Sequence, residues 1–268
     1  MMRHQKTLGI YMGGITLSLD GCNALVTGAG SGLGTFLAEA LDAAGASVAV
    51  HYHGNKSGAD ELSSRLLHSS VVIQANLDDL EDVTLLFNKA AEALGPIDIL
   101  VNCAATQSQD VSDLPNISAG LWSSTMTTNV DAPMRLTQLF SAQEALGKKG
   151  GGSIINISSI EGCRPAPGHS HYATSKAALE MLTKASALEF GPRGIRVNAI
   201  APGLINRAGI EEGWPEGVAA WKAAAPLGRL VDPKDIANTC VFLASPMSAS
   251  ISGTVLTVDC GLSIKPGW

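Results

Sequence analysis

From Asn23 onward, short apolar and often β-branched runs alternate with longer stretches whose apolar positions recur every three to four residues. The first kind fits strands buried on both faces, the second helices laid on a sheet. The strand candidates are Ala24 to Thr27, Ser47 to Tyr52, Val71 to Ala75, Ile97 to Asn102, Ser153 to Ser158, Arg196 to Ile200 and Val255 to Val258. Between the third and fourth, Val83, Leu86, Phe87, Ala90, Ala91 and Leu94 mark one helical face, which Gly95-Pro96 ends. Strand and helix in alternation imply βαβ units. The expectation is an α/β fold of one doubly wound domain over residues 21–268, a seven-stranded parallel sheet flanked by helices. No linker, low-complexity tract or internal repeat divides it. Residues 1–20 read as an N-terminal extension: Arg3 and Lys6 precede a mildly apolar stretch, but Gly9, Gly13 and Gly14 break it and no A-x-A site follows, against a signal peptide. Met12 is an alternative start.

Composition narrows the class. Of 268 residues 46% are apolar and 16% charged, which disfavours disorder. A net charge of −6 argues against nucleic acid or an anionic membrane as partner and leaves small metabolites. Cys22, Cys103, Cys163, Cys240 and Cys260 form no CxxC pair, so neither a disulfide framework nor a metal site is indicated, and a cytoplasmic setting is expected. No uncharged apolar run reaches the roughly 18 residues of a membrane helix.

The first strand runs into Thr27-Gly28-Ala29-Gly30-Ser31-Gly32-Leu33-Gly34, ahead of a helix marked by Leu37, Ala38 and Leu41. Glycines allow a tight turn and close approach of a diphosphate, met by amides at the helix N-terminus. Gly28, Ser31, Gly32, Leu33 and Gly34 are therefore candidate cofactor contacts. NAD-selective sites place an acid at the end of the second strand. Here the stretch is Val50-His51-Tyr52-His53-Gly54-Asn55-Lys56-Ser57, without a carboxylate, and His51, Asn55, Lys56 and Ser57 are expected to donate to a 2′-phosphate. NADP(H) is favoured, with NAD(H) the alternative. His51 and His53, two apart on a strand face, lack further ligands for a metal.

Gly151 to Ser159 reads as a buried strand ending in hydroxyls, and thirteen residues after Ser159 comes Tyr172-Ala173-Thr174-Ser175-Lys176. On a helix Tyr172 and Lys176 share a face. An ammonium within ~4 to 6 Å favours phenolate and is expected to lower the Tyr172 pKa, making the phenol an acid-base group for a carbonyl or alcohol. Ser159 would polarise the same oxygen. Pro133 lacks an amide hydrogen, so in a helix the Asn129 carbonyl would lose its partner and become a water site.

TGxxxGxG at Thr27 to Gly34, Asn102-Cys103-Ala104-Ala105, Asn129, Ser159, Tyr172-x-x-x-Lys176 and Pro202-Gly203 occur in the order and spacing of the short-chain dehydrogenase/reductase family, which the chain resembles over roughly residues 20 to 260. The resemblance implies a Rossmann-like fold and an oxidoreductase moving hydride between nicotinamide and a carbonyl or secondary alcohol. It implies Ser159 as carbonyl orienter, Tyr172 as general acid-base, Lys176 as tuner of Tyr172 and holder of the nicotinamide ribose, and Asn129 as anchor of a relay water. Asn76, Leu77, Asn102, Ala104, Tyr172, Lys176, Pro202, Gly203 and Leu204 would line the cofactor, and a homo-oligomer, tetramer or dimer, is implied. The chain departs from the family at Arg207, where Thr is usual, and at Asn76, where Asp is. The His51-Tyr52-His53 stretch is similar to pteridine reductases, but Ser159 stands where their Asp is expected. A nucleotide-sensing protein on the same scaffold would show a damaged tetrad, and all four residues are present.

Residues 204–227 carry Trp214, Trp221 and three glutamates between glycines, the composition of a substrate lid. Trp221 reads as packing, with Trp214 balanced between packing and substrate contact. Arg207 could meet a carboxylate or the cofactor's phosphates. Nothing identifies the substrate.

Overall fold

The computed structural model describes residues 17–106, 113–144, 146 and 151–264. Its seven strands are β1 (Asn23–Val26), β2 (Ser47–Tyr52), β3 (Ser70–Gln74), β4 (Ile99–Asn102), β5 (Gly152–Ile157), β6 (Ile195–Pro202) and β7 (Val255–Val258). They form one parallel sheet in the order β3-β2-β1-β4-β5-β6-β7. The helices are α1 (Gly32–Ala43), α2 (Lys56–Arg65), α3 (Leu80–Leu94), α4 (Ala119–Met126), α5 (Ala132–Ala142), α6 (Ser170–Phe190), the single turn α7 (Ile210–Gly213), α8 (Pro215–Ala224) and α9 (Pro233–Ala244).

The two-residue repeat of a strand sends its side chains to opposite faces, and both faces here are covered. Ala24, Val26, Val48, Val50 and Val101 point into the core under α1 and α9. Their neighbours Leu25, Ala49, Leu100 and Ile154 point the other way, onto Val83, Leu86 and Phe87 of α3 and Leu136 and Phe140 of α5. Asp79 caps α3 through the Glu81 amide, and Gly95, at φ +92, closes it. Arg196 on β6 donates to the Leu243, Ala244 and Ser245 carbonyls at the end of α9, satisfying groups the helix leaves without partners.

Residues 1–16 of the expected extension lie outside the described residues. Leu19, read as part of that extension, belongs to the fold: it is buried and its amide bonds the Ala44 carbonyl. Strand order reverses between β1 and β4, and at such a switch point the carboxyl ends of the strands open a crevice. Thr27, Asn102, Ser159 and Pro202 all lie at those ends.

Candidate active site

The glycine turn is tight for identifiable reasons. Gly28 has φ +70 and Gly32 φ +57. A Cβ at Gly34 would lie 2.2 Å from the Gly28 carbonyl oxygen, and one at Gly28 would lie 2.9 Å from Ala104 Cα. A Cβ at Gly30 would meet the Asn55 carbonyl and Tyr52 Cβ, each at 3.0 Å. Thr27 Oγ1 accepts from the Cys103 and Ala104 amides, tying the turn to the segment after β4. Ser31 is the exposed N-cap of α1, yet its hydroxyl makes no capping bond. A turn with no room for a Cβ at Gly28, Gly30 or Gly34, an uncommitted hydroxyl and a helix N-terminus fit the diphosphate of a dinucleotide.

Past β2 the structure revises several expectations. His51 does not reach toward a 2′-phosphate: it is buried, its Nδ1 accepts from the Gly28 amide at 3.0 Å, and its Nε2 lies 3.2 Å from the Ala75 carbonyl. Burial lowers its pKa to about 4. Asn55 is committed as well, its Nδ2 donating to the Gly30 carbonyl and its Oδ1 accepting from the Gly58 amide and Ser57 hydroxyl. Lys56 is exposed and paired with Asp60, one helical turn on, a carboxylate just beyond the stretch read from sequence. Asn76 is exposed, its Oδ1 accepting from the Asp78 amide, and Leu77 is buried beside it. Asn102 turns inward rather than into the crevice, its Nδ2 donating to Asn156 Oδ1 across β4 and β5.

Ser159, Tyr172 and Lys176 converge. Ser159, two residues past β5, caps the turn Ile160–Gly162 and acts to lower the Tyr172 pKa. Lys176, one turn along α6, places Nζ 5.4 Å from the centre of the Tyr172 ring. The ammonium is buried and donates to the Ile157 carbonyl at 2.8 Å, and burial lowers its pKa to about 8. The expected acidification of the phenol is absent among the chain's own groups. Burial pushes Tyr172 up to about 12; Ser159 opposes this, and Glu161 and Cys103 add to it. Desolvation of the phenolate outweighs an ammonium held by another oxygen.

Asn129 lies in a π-type turn, Thr127–Asp131, that leads into α5 with Pro133 at its start. Its Oδ1 accepts from the Thr106 amide, and its Nδ2 donates to the Thr106 carbonyl and to Ser175 Oγ. Ser175 donates in turn to the Tyr172 carbonyl. Asn129 thus joins the loop after β4 to the helix that carries Tyr172.

Sequence reasoning missed the pair beside them. His169 Nδ1 lies 3.0 Å from a Glu161 carboxylate oxygen, and the Glu161 amide donates to Ser159 Oγ. The spacing of residues 161 and 169 carries no periodic signal, because a turn and a loop separate them. Burial pushes the Cys103 thiol up to about 12, so it stays protonated at neutral pH. Pro202 is buried at the end of β6, and a Cβ at Gly203 would strike the Trp221 ring at 2.6 Å, so Trp221 is packing. Leu204 joins Ile210, Val218 and Leu230 in a small core of the lid segment. Trp214 covers Gly217 with 57% of its surface exposed, and Arg207 is exposed. Among the described residues no cluster of His, Cys, Asp or Glu is placed to hold a metal, and no helix is long and apolar enough to cross a membrane.

A family model described as enoyl-(acyl carrier protein) reductase matches residues 28–263. The chain is 35% identical to 3beta-hydroxysteroid dehydrogenase 1 of Eggerthella lenta, over 93% of this chain and 97% of that one. It is 34% identical to the 3-oxoacyl-[acyl-carrier-protein] reductase of Vibrio harveyi, over 92% and 99%. Among solved structures, a blue fluorescent protein from a metagenomic library, in complex with NADPH, superposes with a TM-score of 0.85 at 32% identity, covering 92% of this chain and 99% of that one. Fold and relatives together define an oxidoreductase of the dehydrogenase and reductase class. The chain belongs to the short-chain dehydrogenase/reductase family.

Proposed function

We propose that this protein is an NADP(H)-dependent carbonyl reductase or alcohol dehydrogenase in which Tyr172 exchanges the proton. The carrying observation is the convergence of Ser159, Tyr172 and Lys176 at the switch-point crevice, with Ser159 acting on the phenol and the ammonium 5.4 Å from the ring centre.

A bound nicotinamide would supply or accept the hydride. Gly28, Ser31, Gly32, Leu33 and Gly34 would hold its diphosphate, Asn76 and Leu77 its adenine end, and Ala104, Pro202, Gly203 and Leu204 its nicotinamide end. The chain's own groups do the rest. Ser159 donates to the substrate oxygen and fixes it against the phenol. Tyr172, protonated up to about pH 12, gives that oxygen its proton in the reducing direction. Lys176, charged below about pH 8, stabilises negative charge gathering on the phenol. Asn129, through Ser175, holds the backbone of Tyr172 in place. Preference for NADP(H) is supported by the lack of a carboxylate at the end of β2 and by exposed Lys56 and Ser57 there. The five free cysteines favour a reducing, cytoplasmic setting. Exposed Trp122 on α4 and Met181 and Leu188 on α6 support a homo-oligomer.

The reading is tested by following NADPH and NADH oxidation with a panel of ketones. Turnover with NADPH at several times the NADH efficiency supports it; no oxidation with any ketone, and no reduction of NADP⁺ by the matching alcohols, refutes it.

A further inference from the structure

We infer that His51 is the positioning residue of the cofactor turn: a neutral imidazole wedged between three strands that sets where the Gly28–Ala29 segment lies and thereby tunes dinucleotide affinity. The claim rests on the proposed function only in naming the dinucleotide as the ligand.

His51 grips two successive amides of the turn. Its ring Nδ1 accepts from Gly28 N–H at 3.0 Å, and its backbone carbonyl accepts from Ala29 N–H at 2.9 Å. The far side of the ring reaches the Ala75 carbonyl at 3.2 Å, where β3 gives way to Asn76. The imidazole therefore spans from the β1 turn to the end of β3, the two places that would hold the diphosphate and the adenine. These contacts assign the tautomer. Nδ1 faces a donor and must be the bare nitrogen, while Nε2 faces an acceptor and must carry the hydrogen. With 2% of its surface exposed, the ring has no water to substitute for either partner.

The grip bears on binding because Gly28 is held on its other side as well. Its Cα faces Ala104 so closely that a Cβ would fall 2.9 Å from the Ala104 Cα. Gly28 is fixed between Ala104 and His51, at a φ of +70 that other residues rarely adopt. Without the imidazole acceptor, the half-buried Gly28 amide would lose its protein partner, and the turn would shift to find another.

Three substitutions separate the contacts. Asn places an oxygen near the position of Nδ1 and keeps the acceptor for Gly28. Gln reaches instead toward the position of Nε2, and Leu keeps the bulk alone. NADPH fluorescence titration is expected to give His51→Leu and His51→Gln a dissociation constant raised about tenfold or more, the scale of one buried hydrogen bond. His51→Asn should stay within about threefold of wild type. At saturating NADPH, kcat should stay within about threefold in all three, since the acid-base residues are untouched. If all three bind NADPH like wild type, or if Asn loses as much as Leu, His51 is a core residue and the inference is overturned. A second readout needs no cofactor: ¹⁵N resonances of the imidazole and hydrogen exchange of the Gly28 amide. A proton on Nε2, with a Gly28 amide protected in wild type and His51→Asn but not in His51→Leu, supports the grip. A proton on Nδ1, or a freely exchanging Gly28 amide, overturns it. Wild type that shows the grip but binds no NADPH would overturn the functional reading and leave the positioning of the turn established.

Discussion

At the scale of single residues, the site sets desolvation against charge. The four positions from Tyr172 to Lys176 announce a helical pair, and the pair forms; its expected electrical consequence does not follow from the chain alone. The ammonium is turned onto the Ile157 carbonyl, and the phenol keeps its proton up to about pH 12. A spacing rule sees which side chains share a face but not which oxygen lies nearer. A protonated phenol suits the reducing direction, so Tyr172→Phe should lower kcat by about 10²- to 10⁴-fold while leaving the NADPH dissociation constant unchanged, as read by fluorescence titration. The efficiency of ketone reduction should hold level below about pH 8 and fall above it as Lys176 loses its proton, and Lys176→Arg should remove that fall. His51 titrates with the opposite consequence for stability. Its pKa is near 6.5 in the unfolded chain and about 4 in the folded one, so the unfolded state binds the extra proton between those values. Stability from this group is full above pH 6.5 and falls as pH drops toward 4, by up to about 3 kcal/mol. Urea denaturation at pH 7 and 4.5 should show a smaller loss for His51→Asn than for wild type.

At the scale of elements, the strands were legible because both sheet faces are buried and each strand reads as a continuous apolar run. Ser47–Tyr52 and Val255–Val258 agree residue for residue, and the others shift by at most two positions at either end. The glycine turn was legible because φ and close approach leave no other residue type. Accordingly Gly34→Ala, which would drive a methyl group into the Gly28 carbonyl, should abolish detectable NADPH binding, measured by titration against wild type. Less legible was everything that depends on what lies across from an element. His51 looked like a donor on a strand end because alternation tells which face a side chain takes, not that Gly28 and Ala75 wait there. The Glu161–His169 pair was hidden for the same reason, whereas the partner of Lys56, Asp60, one turn along the same helix, was open to a spacing rule. Arg196 is a further case. Its guanidinium closes the end of α9, and Arg196→Ala should lower unfolding free energy by about 2 kcal/mol in urea.

At the scale of the whole molecule, the sheet delivers one crevice, and residues 204–230 furnish a part with its own small core of Ile210, Val218 and Leu230. Relatives at nearly equal identity carry names as different as a hydroxysteroid dehydrogenase and an oxoacyl reductase, so the scaffold alone does not name the substrate. The central claim is hydride transfer from NADPH to a carbonyl carbon with Tyr172 supplying the proton. Its most direct test is a reaction with NADPH deuterated at the transferring position of the nicotinamide, on wild type and Tyr172→Phe, with mass spectrometry of the alcohol formed. The account predicts one deuterium on the carbinol carbon with wild type and a product yield lower by at least about a hundredfold with the variant. Unlabelled alcohol from wild type, or equal labelled yields from the two proteins, would contradict it.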